Sequence, residues 1–196
     1  MEIKNFAGKY LSELVDLINS IDLHEIENFI NELEEAYKND KNIFVMGNGG
    51  SASTASHFAC DINKGVSLKL NKRFKVISLN DNIPIMLAYA NDISYDSIFE
   101  EQLKNYIKKD DLVVGISGSG NSKNVLMAIE YANAIGARTF GITGYDGGKL
   151  KKIAEKSIVI RSNDMQKIED CHMILVHLTM QYLSDKLSNN SIGDNR

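Results

Sequence analysis

Five short apolar runs, most of them separated by helical patterns, constrain the fold of this chain more than any other feature. Each run spans four to six residues, as is typical of a buried strand, and the runs are 42–46, 74–79, 112–116, 139–142 and 157–160. Helical patterns separate the first four, which is the signature of β-α-β units and of a parallel sheet covered on both faces. The sequence therefore predicts an α/β fold, a three-layer sandwich around a five-stranded parallel sheet.

Two amphipathic stretches precede the first strand, at residues 6–21 and 24–37. Helices placed there have no partner in a minimal α/β sheet, so we expect them to pack on its flank or on another subunit. With 196 residues and 43% hydrophobic content, the chain has enough material for one core. We therefore expect a single domain over residues 1–196, in which the helices of residues 1–40 make oligomer contacts.

The remaining helices are also marked in the sequence. Pro84, the only proline, is better placed to begin a short helix after the second strand than to continue that strand. A long last helix is predicted over about 164–187, followed by a frayed tail at 188–196.

Composition excludes several classes of partner. Lys and Arg number 22 against 26 Asp and Glu, a formal net charge of -4, so we expect no nucleic acid as the main partner. No apolar run approaches the roughly 18 residues of a membrane span, and residues 1–5 lack a signal-peptide core, so we expect no membrane partner. Cys60 and Cys171 do not form a secreted disulfide framework. These features together predict a cytoplasmic protein.

Three strand ends lead into turns rich in glycine, serine and threonine, at residues 47–51, 117–122 and 143–148. All three should lie at the carboxyl edge of the sheet, where open α/β folds bind their ligands. Serine hydroxyls and the free N–H groups of a following helix can surround a phosphate without a cationic side chain. For one such turn helix capping is the better explanation, but two or three along one edge favour a site. Neither a Walker loop nor a complete dinucleotide fingerprint is present.

Polar side chains on two helical stretches are candidates for chemistry. His57 and Asp61 are four residues apart and share a helix face, so they can bind a divalent metal or act as an acid and base pair. The last helix adds Glu169, Asp170, His172 and His177. On a helical wheel, Asp170 lies about 20° from His177 and Glu169 about 80° from it. The wheel favours Asp170 as the partner, although residues near a helix start can converge from a wider arc.

With these motifs in hand, the sequence resembles the sugar isomerase (SIS) domain family, and within it the phosphoheptose isomerases. Four stretches carry the resemblance, which extends over nearly the whole chain: 47–51 through 59, 90–92, 115–122 and 168–177. The resemblance implies a flavodoxin-like sheet and a homotetramer with sites between subunits. It also implies conversion of sedoheptulose 7-phosphate to D-glycero-D-manno-heptose 7-phosphate, an early step towards surface heptose.

The resemblance assigns roles to individual positions. Those matched to phosphate contacts are Ser51, Ser117, Ser119 and Ser122, and the neighbouring substrate-binding positions are Asn48, Gly49, Gly50, Asp92, Gly118 and Glu169. Positions matched to the family's zinc site are His57, Asp61, Glu169 and His177. Asp61 replaces a glutamate that is also the catalytic base, and Glu169 replaces a glutamine. Asn82 stands where the family has an aspartate, and Gly118 where it usually has threonine.

An aldose–ketose isomerase needs a base beside the carbonyl carbon and an acid at the neighbouring oxygen. We expect Asp61 or Glu169 to move the proton through an enediol, and His177 to act on the oxygen, with zinc as the expected cofactor. One alternative is a non-catalytic adaptor, because a relative that binds the bacterial replication initiator has a turn similar to residues 143–148. Another is an isomerase for a different sugar phosphate.

Overall fold

The computed structural model describes residues 2–193, with the backbone alone for Lys69 and residues 189–193. The strands are β1 (Asn42–Gly47), β2 (Lys75–Ser78), β3 (Leu112–Ser117), β4 (Arg138–Gly144) and β5 (Lys156–Ile160). The helices are α1 (Ile3–Asn19), α2 (Leu23–Lys38), α3 (Gly50–Cys60), α4 (Ile83–Asp92), α5 (Ile98–Tyr106), α6 (Lys123–Ile135), α7 (Leu150–Ile153) and α8 (Met165–Gly193).

All five strands are parallel and pair in the order β2-β1-β3-β4-β5. This is the flavodoxin-like order, with its switch point between β1 and β3. The predicted α/β sandwich and its five-stranded parallel sheet are confirmed, and the predicted strand ends differ from the observed ones by no more than two residues.

Alternate side chains of each central strand face opposite layers, as the period of two requires. In β1, Ile43 and Val45 contribute to one apolar cluster, which also contains residues of α2, α3 and α8. Phe44 and Met46 point the other way, into a second cluster with residues of α5 and α6. The two clusters together form the core on the two faces of the sheet.

The two N-terminal helices differ in how they attach. α2 buries Phe29, whose ring lies 4.9 Å from that of Phe140, and Glu25 accepts a hydrogen bond from the N–H of Val159 on the edge strand β5. α1 has no fully buried residue, and it packs through Leu14, Leu17 and Ile18 on the outside of the first cluster. The expected flank position of both helices is therefore observed.

Two local features differ from the expectations. α3 gives way to a π-helix over Asp61–Val66, so Asp61 begins a wider turn rather than continuing the α-helix. α8 runs six residues beyond the expected end at 187, to Gly193; the rest of the predicted frayed tail, residues 194–196, lies outside the described residues. Pro84 lies in the first turn of α4, as expected. No described helix combines the length and apolarity that a membrane crossing requires.

His172 of α8 is fully buried and joins that helix to the end of β4. Its Nε2 lies 3.1 Å from the carbonyl oxygen of Thr143, and its Nδ1 has no hydrogen-bond partner. Burial lowers the pKa of His172 from 6.5 to about 4, and the hydrogen bond to Thr143 opposes that shift only in part. The folded protein therefore holds His172 neutral, with the proton on Nε2.

We predict that His172 makes the protein less stable in mild acid. Because the unfolded chain binds this proton near pH 6.5 and the folded chain only near pH 4, unfolding becomes easier as the pH falls through that window. The expected loss between about pH 6.5 and 5 is roughly 1.5 kcal/mol of unfolding free energy. Urea titrations should show a shallower loss for His172→Gln, which keeps an N–H donor, and an unchanged loss for the exposed His24→Gln. Equal losses in wild type and His172→Gln would contradict the prediction.

Candidate functional site

The 47–51 turn carries the chain from β1 into α3. Gly47 leaves no room for a side chain, because a Cβ there would lie 2.7 Å from backbone atoms of Ser51, and Gly49 has a φ of +54°. The side chain of Asn80 bonds both the N–H and the carbonyl of Gly47, at 3.1 and 2.8 Å. Ser51 is buried in the first turn of α3, where free N–H groups favour an anion.

Asn48 is held across the switch point of the sheet. Its amide pairs reciprocally with that of Asn124 on α6, at 2.8 and 2.9 Å, and its Oδ1 also accepts from the hydroxyl of Tyr95 at 2.9 Å. Sequence reasoning missed Asn80, Tyr95 and Asn124. No local signal marks them, because a single polar residue in a helix or loop looks like an ordinary surface position.

The 117–122 turn leads from β3 into α6 and places its three serines close together. The hydroxyl oxygens of Ser117 and Ser122 lie 3.0 Å apart, and Ser119 Oγ accepts from the N–H of Asn121 at 3.2 Å. Ser122 is the N-cap residue of α6, but its side chain makes no capping bond; its hydroxyl pairs with that of Ser117 instead. Both this turn and the 47–51 turn lie at the carboxyl edge of the sheet, as predicted, and they flank the switch point between β1 and β3.

Gly118, where the family usually has threonine, packs against the side chain of Met165 on α8. A Cβ at Gly118 would lie 2.5 Å from the sulfur of Met165. The space that a larger residue would need is therefore filled by Met165, which explains how this chain accommodates the change.

His57, Asp61 and His177 form one cluster. The Nε2 atoms of the two histidines lie 3.1 Å apart, and Asp61 Oδ2 lies 3.3 Å from His57 Nε2. One potential ligand atom from each residue lies within 4.8 Å of the others. The expectation that His57 and Asp61 share a face holds despite the π-helix that begins at Asp61.

This cluster suits a divalent metal. Ligands held at about 2.0–2.1 Å in a tetrahedral zinc site stand roughly 3.3 Å apart, close to the spacings here. Asp61 Oδ2 is buried and receives no well-aligned hydrogen bond from the described part of the protein, so an ion would satisfy it. Two imidazoles and one carboxylate also match a catalytic zinc site with an open position.

Glu169, the fourth expected ligand, lies outside this cluster. Its carboxylate packs against the first residue of α3, where a Cβ on Gly50 would lie 2.5 Å from Glu169 Oε2. The carboxylate therefore lies near the positive N-terminal end of α3, beside the candidate phosphate contact Ser51.

Asp170, which the helical wheel favours, faces away from His177 and towards α1. Its Oδ2 accepts a 2.5 Å hydrogen bond from the hydroxyl of Tyr10, and this bond is the main cause of the raised pKa of Tyr10, about 12.

Asp92 is exposed at the end of α4 and accepts a hydrogen bond from Asn91; no described hydrogen bond joins it to the two turns. Asn82 caps α4 through the N–H of Ile85.

Comparison with known proteins agrees with this architecture. The profile of the SIS domain family matches residues 9–144. The chain is 35% identical over 180 residues to a probable phosphoheptose isomerase of Thermoplasma acidophilum, covering 92% of this chain and 98% of the relative. It is 38% identical over 146 residues to the phosphoheptose isomerase of Helicobacter pylori strain P12, covering 74% and 76%.

Solved structures show the same fold. A phosphoheptose isomerase from Neisseria gonorrhoeae superposes with a TM-score of 0.86 at 24% identity, covering 93% of this chain and 99% of that one. One from Francisella tularensis gives 0.85 at 22% identity, covering 94% and 100%. With the profile match and the sequence relatives, these findings show that the chain belongs to the SIS domain family and, within it, to the phosphoheptose isomerases.

Proposed function

We propose that this protein is an aldose–ketose isomerase that converts sedoheptulose 7-phosphate to D-glycero-D-manno-heptose 7-phosphate. The cluster of His57, Asp61 and His177 is the observation that carries the proposal, because it supplies acid–base groups and a metal position beside a phosphate-binding edge. A non-catalytic adaptor has no use for such a cluster. Two free cysteines are in keeping with a reducing cytoplasm.

The substrate phosphate binds at the two turns that flank the switch point. Ser117, Ser119 and Ser122 supply hydroxyls, and Ser51 adds a contact from the first turn of α3. His57 follows Ser51 by six residues, about 9 Å along the helix axis. The phosphate seat and the candidate acid–base groups are thus separated by a length comparable with an open-chain heptose phosphate. The sugar hydroxyls lie along Asn48, Gly49, Gly50, Glu169 and Asp92.

Isomerisation moves one proton between neighbouring carbons. A base takes a proton from C1 of the ketose while the C2 oxygen gains one, which gives the enediol; the proton then returns to C2 as the O1 hydroxyl loses its own. We assign the carbon-bound proton to Asp61, with Glu169 as the alternative, and proton transfer at the oxygens to His177. With zinc bound, His57, Asp61 and His177 would hold the ion, and the ion would polarise the substrate oxygen as a Lewis acid in place of proton transfer by His177.

We predict that substitution of the two candidate bases will separate their roles. Asp61→Asn should lower kcat by roughly 10²–10⁴, because it removes the proton carrier. Glu169→Gln should cost less than about tenfold, because an amide still binds hydroxyls and the removed charge is not needed for proton transfer. Turnover of sedoheptulose 7-phosphate checks both, with metal content measured on the same samples. A larger loss in Glu169→Gln would transfer the base role to Glu169.

We predict that the cluster binds zinc in the absence of substrate. After dialysis against zinc and removal of excess, elemental analysis should find about one ion per chain. His57→Ala and His177→Ala should each lose most of it, because each removes one of three ligands. The surface variant His24→Ala is the control and should retain the wild-type content. Wild-type zinc content in both cluster variants would rule out this site.

We propose a homotetramer, as the resemblance to the phosphoheptose isomerases implies, and the apolar surface that the described chain leaves uncovered supports assembly. Phe6, Leu11 and Val15 are exposed on α1, and Ile83 and Leu87 on α4, with exposed fractions between 54% and 64%. Such rows of large apolar side chains are typical of a surface that another subunit covers.

We predict that charge on the exposed face of α1 will break the assembly. Light scattering should give a tetrameric mass for wild type and a smaller mass for Leu11→Glu/Val15→Glu, because two carboxylates would be buried unpaired. Lys152→Glu, an exposed change on a different helix, α7, should keep the wild-type mass. An unchanged mass in the double variant would show that α1 is not part of the interface.

A further inference from the structure

The 143–148 turn lies behind the 117–122 turn and pairs with its backbone. The N–H of Gly144 donates to the carbonyl of Gly118 at 2.8 Å, and the N–H of Leu150 donates to that of Gly120 at 2.9 Å. These bonds satisfy two carbonyls of the serine turn from its rear side.

Asn121 bridges the 117–122 turn and the residue that directly follows the 143–148 turn through both ends of its amide. Its Nδ2 donates to the carbonyl of Ser119 at 2.8 Å, and its Oδ1 accepts from the N–H of Lys149 at 3.2 Å. Its own N–H donates to Ser119 Oγ. A single side chain therefore connects Ser119, a proposed phosphate contact, to the segment behind it.

Gly148 lies directly against the 117–122 turn, where there is no space for a side chain. Its φ is +56°, and a Cβ there would lie 2.6 Å from the carbonyl oxygen of Ser119 and 2.7 Å from Asn121 Nδ2. The 143–148 turn can approach the serine turn this closely only with glycine at that position.

We propose that Asn121 is a positioning residue for the substrate phosphate, acting through Ser119, and that the 143–148 turn is the rigid support on which it acts. This inference rests on the proposed phosphate site. Three serines bind one phosphate tightly only if their turn is already ordered. Otherwise the entropy lost in ordering the turn reduces the free energy of binding. Asn121 supplies that order without touching the ligand.

The test compares two variants at this contact with one matched control. Asn121→Ala removes the bridge, and Gly148→Ala pushes on Ser119 from behind. Gly136→Ala places a side chain at another positive φ, +77°, at the end of α6, where its Cβ would meet only Lys109 at 3.5 Å. The control thus imposes similar backbone strain away from the turn. Inorganic phosphate binding is measured by calorimetry, and turnover is measured with sedoheptulose 7-phosphate.

Asn121→Ala and Gly148→Ala should weaken phosphate binding by about tenfold, the effect of one to two lost hydrogen bonds. KM should rise in parallel while kcat stays within about twofold, because ground state and transition state share the phosphate contact. Gly136→Ala should bind phosphate as wild type does, even where its melting temperature falls as far as theirs. If Asn121 and Gly148 served only the stability of the fold, this difference in phosphate binding between them and Gly136→Ala would not occur.

Two outcomes separate failure of this inference from failure of the proposed function. If Asn121→Ala and Gly148→Ala bind inorganic phosphate as tightly as Gly136→Ala does, the positioning role is wrong, whatever the turnover. If wild type binds phosphate through Ser119, shown by loss in Ser119→Ala, and Asn121→Ala weakens it, but no heptose phosphate is turned over, the positioning role stands and the isomerase assignment fails.

Discussion

The first residues of α8 pack against one glycine from each of the three turns at the carboxyl edge of the sheet, and the arrangement of the site depends on that contact. Met165 fills the space over Gly118, Ile168 lies against Gly144, and Glu169 lies against Gly50. A Cβ on any of these glycines would lie about 2.5 Å from the side chain that covers it. Ile168 is branched and fully buried, so the overlap at Gly144 could not be absorbed, and this glycine limits how closely α8 can approach the sheet.

The same packing accommodates two positions at which this chain differs from the usual family residue, Gly118 and Glu169. Glycine at 118 gives Met165 its position, and glycine at 50 admits the carboxylate of Glu169 at the start of α3. The partial positive charge of a helix N-terminus is a favourable place for a carboxylate, so the change from amide to acid at 169 need not disturb the turn. From the same helix, two turns further on, His177 reaches His57.

The strands and turns could be predicted from the sequence, because each is encoded within a few neighbouring residues. A continuous apolar run marks β1, and glycines mark the sharp turn that follows it. The pairing of His57 with Asp61 was also predictable, since residues four apart meet on a helix. The different directions of Glu169 and Asp170 were not, because they depend on which helix packs on each side of α8. Neither was the Asn48–Asn124 amide pair, which joins residues 76 positions apart.

α1 shows how polar contacts can hold a helix that buries almost nothing. Tyr10 donates to Asp170, and Glu13 pairs with Lys167 at 2.8 Å, so both contacts attach α1 to the first turns of α8. Asp170 directly follows Glu169 in the chain. α1 therefore binds the same first turns of α8 that pack against the three glycines. The inner face of α1 thus contacts the start of α8, while Leu11 and Val15 remain exposed on the helix. A subunit that covers these two side chains would hold α1 against α8, so assembly would help to order the proposed site.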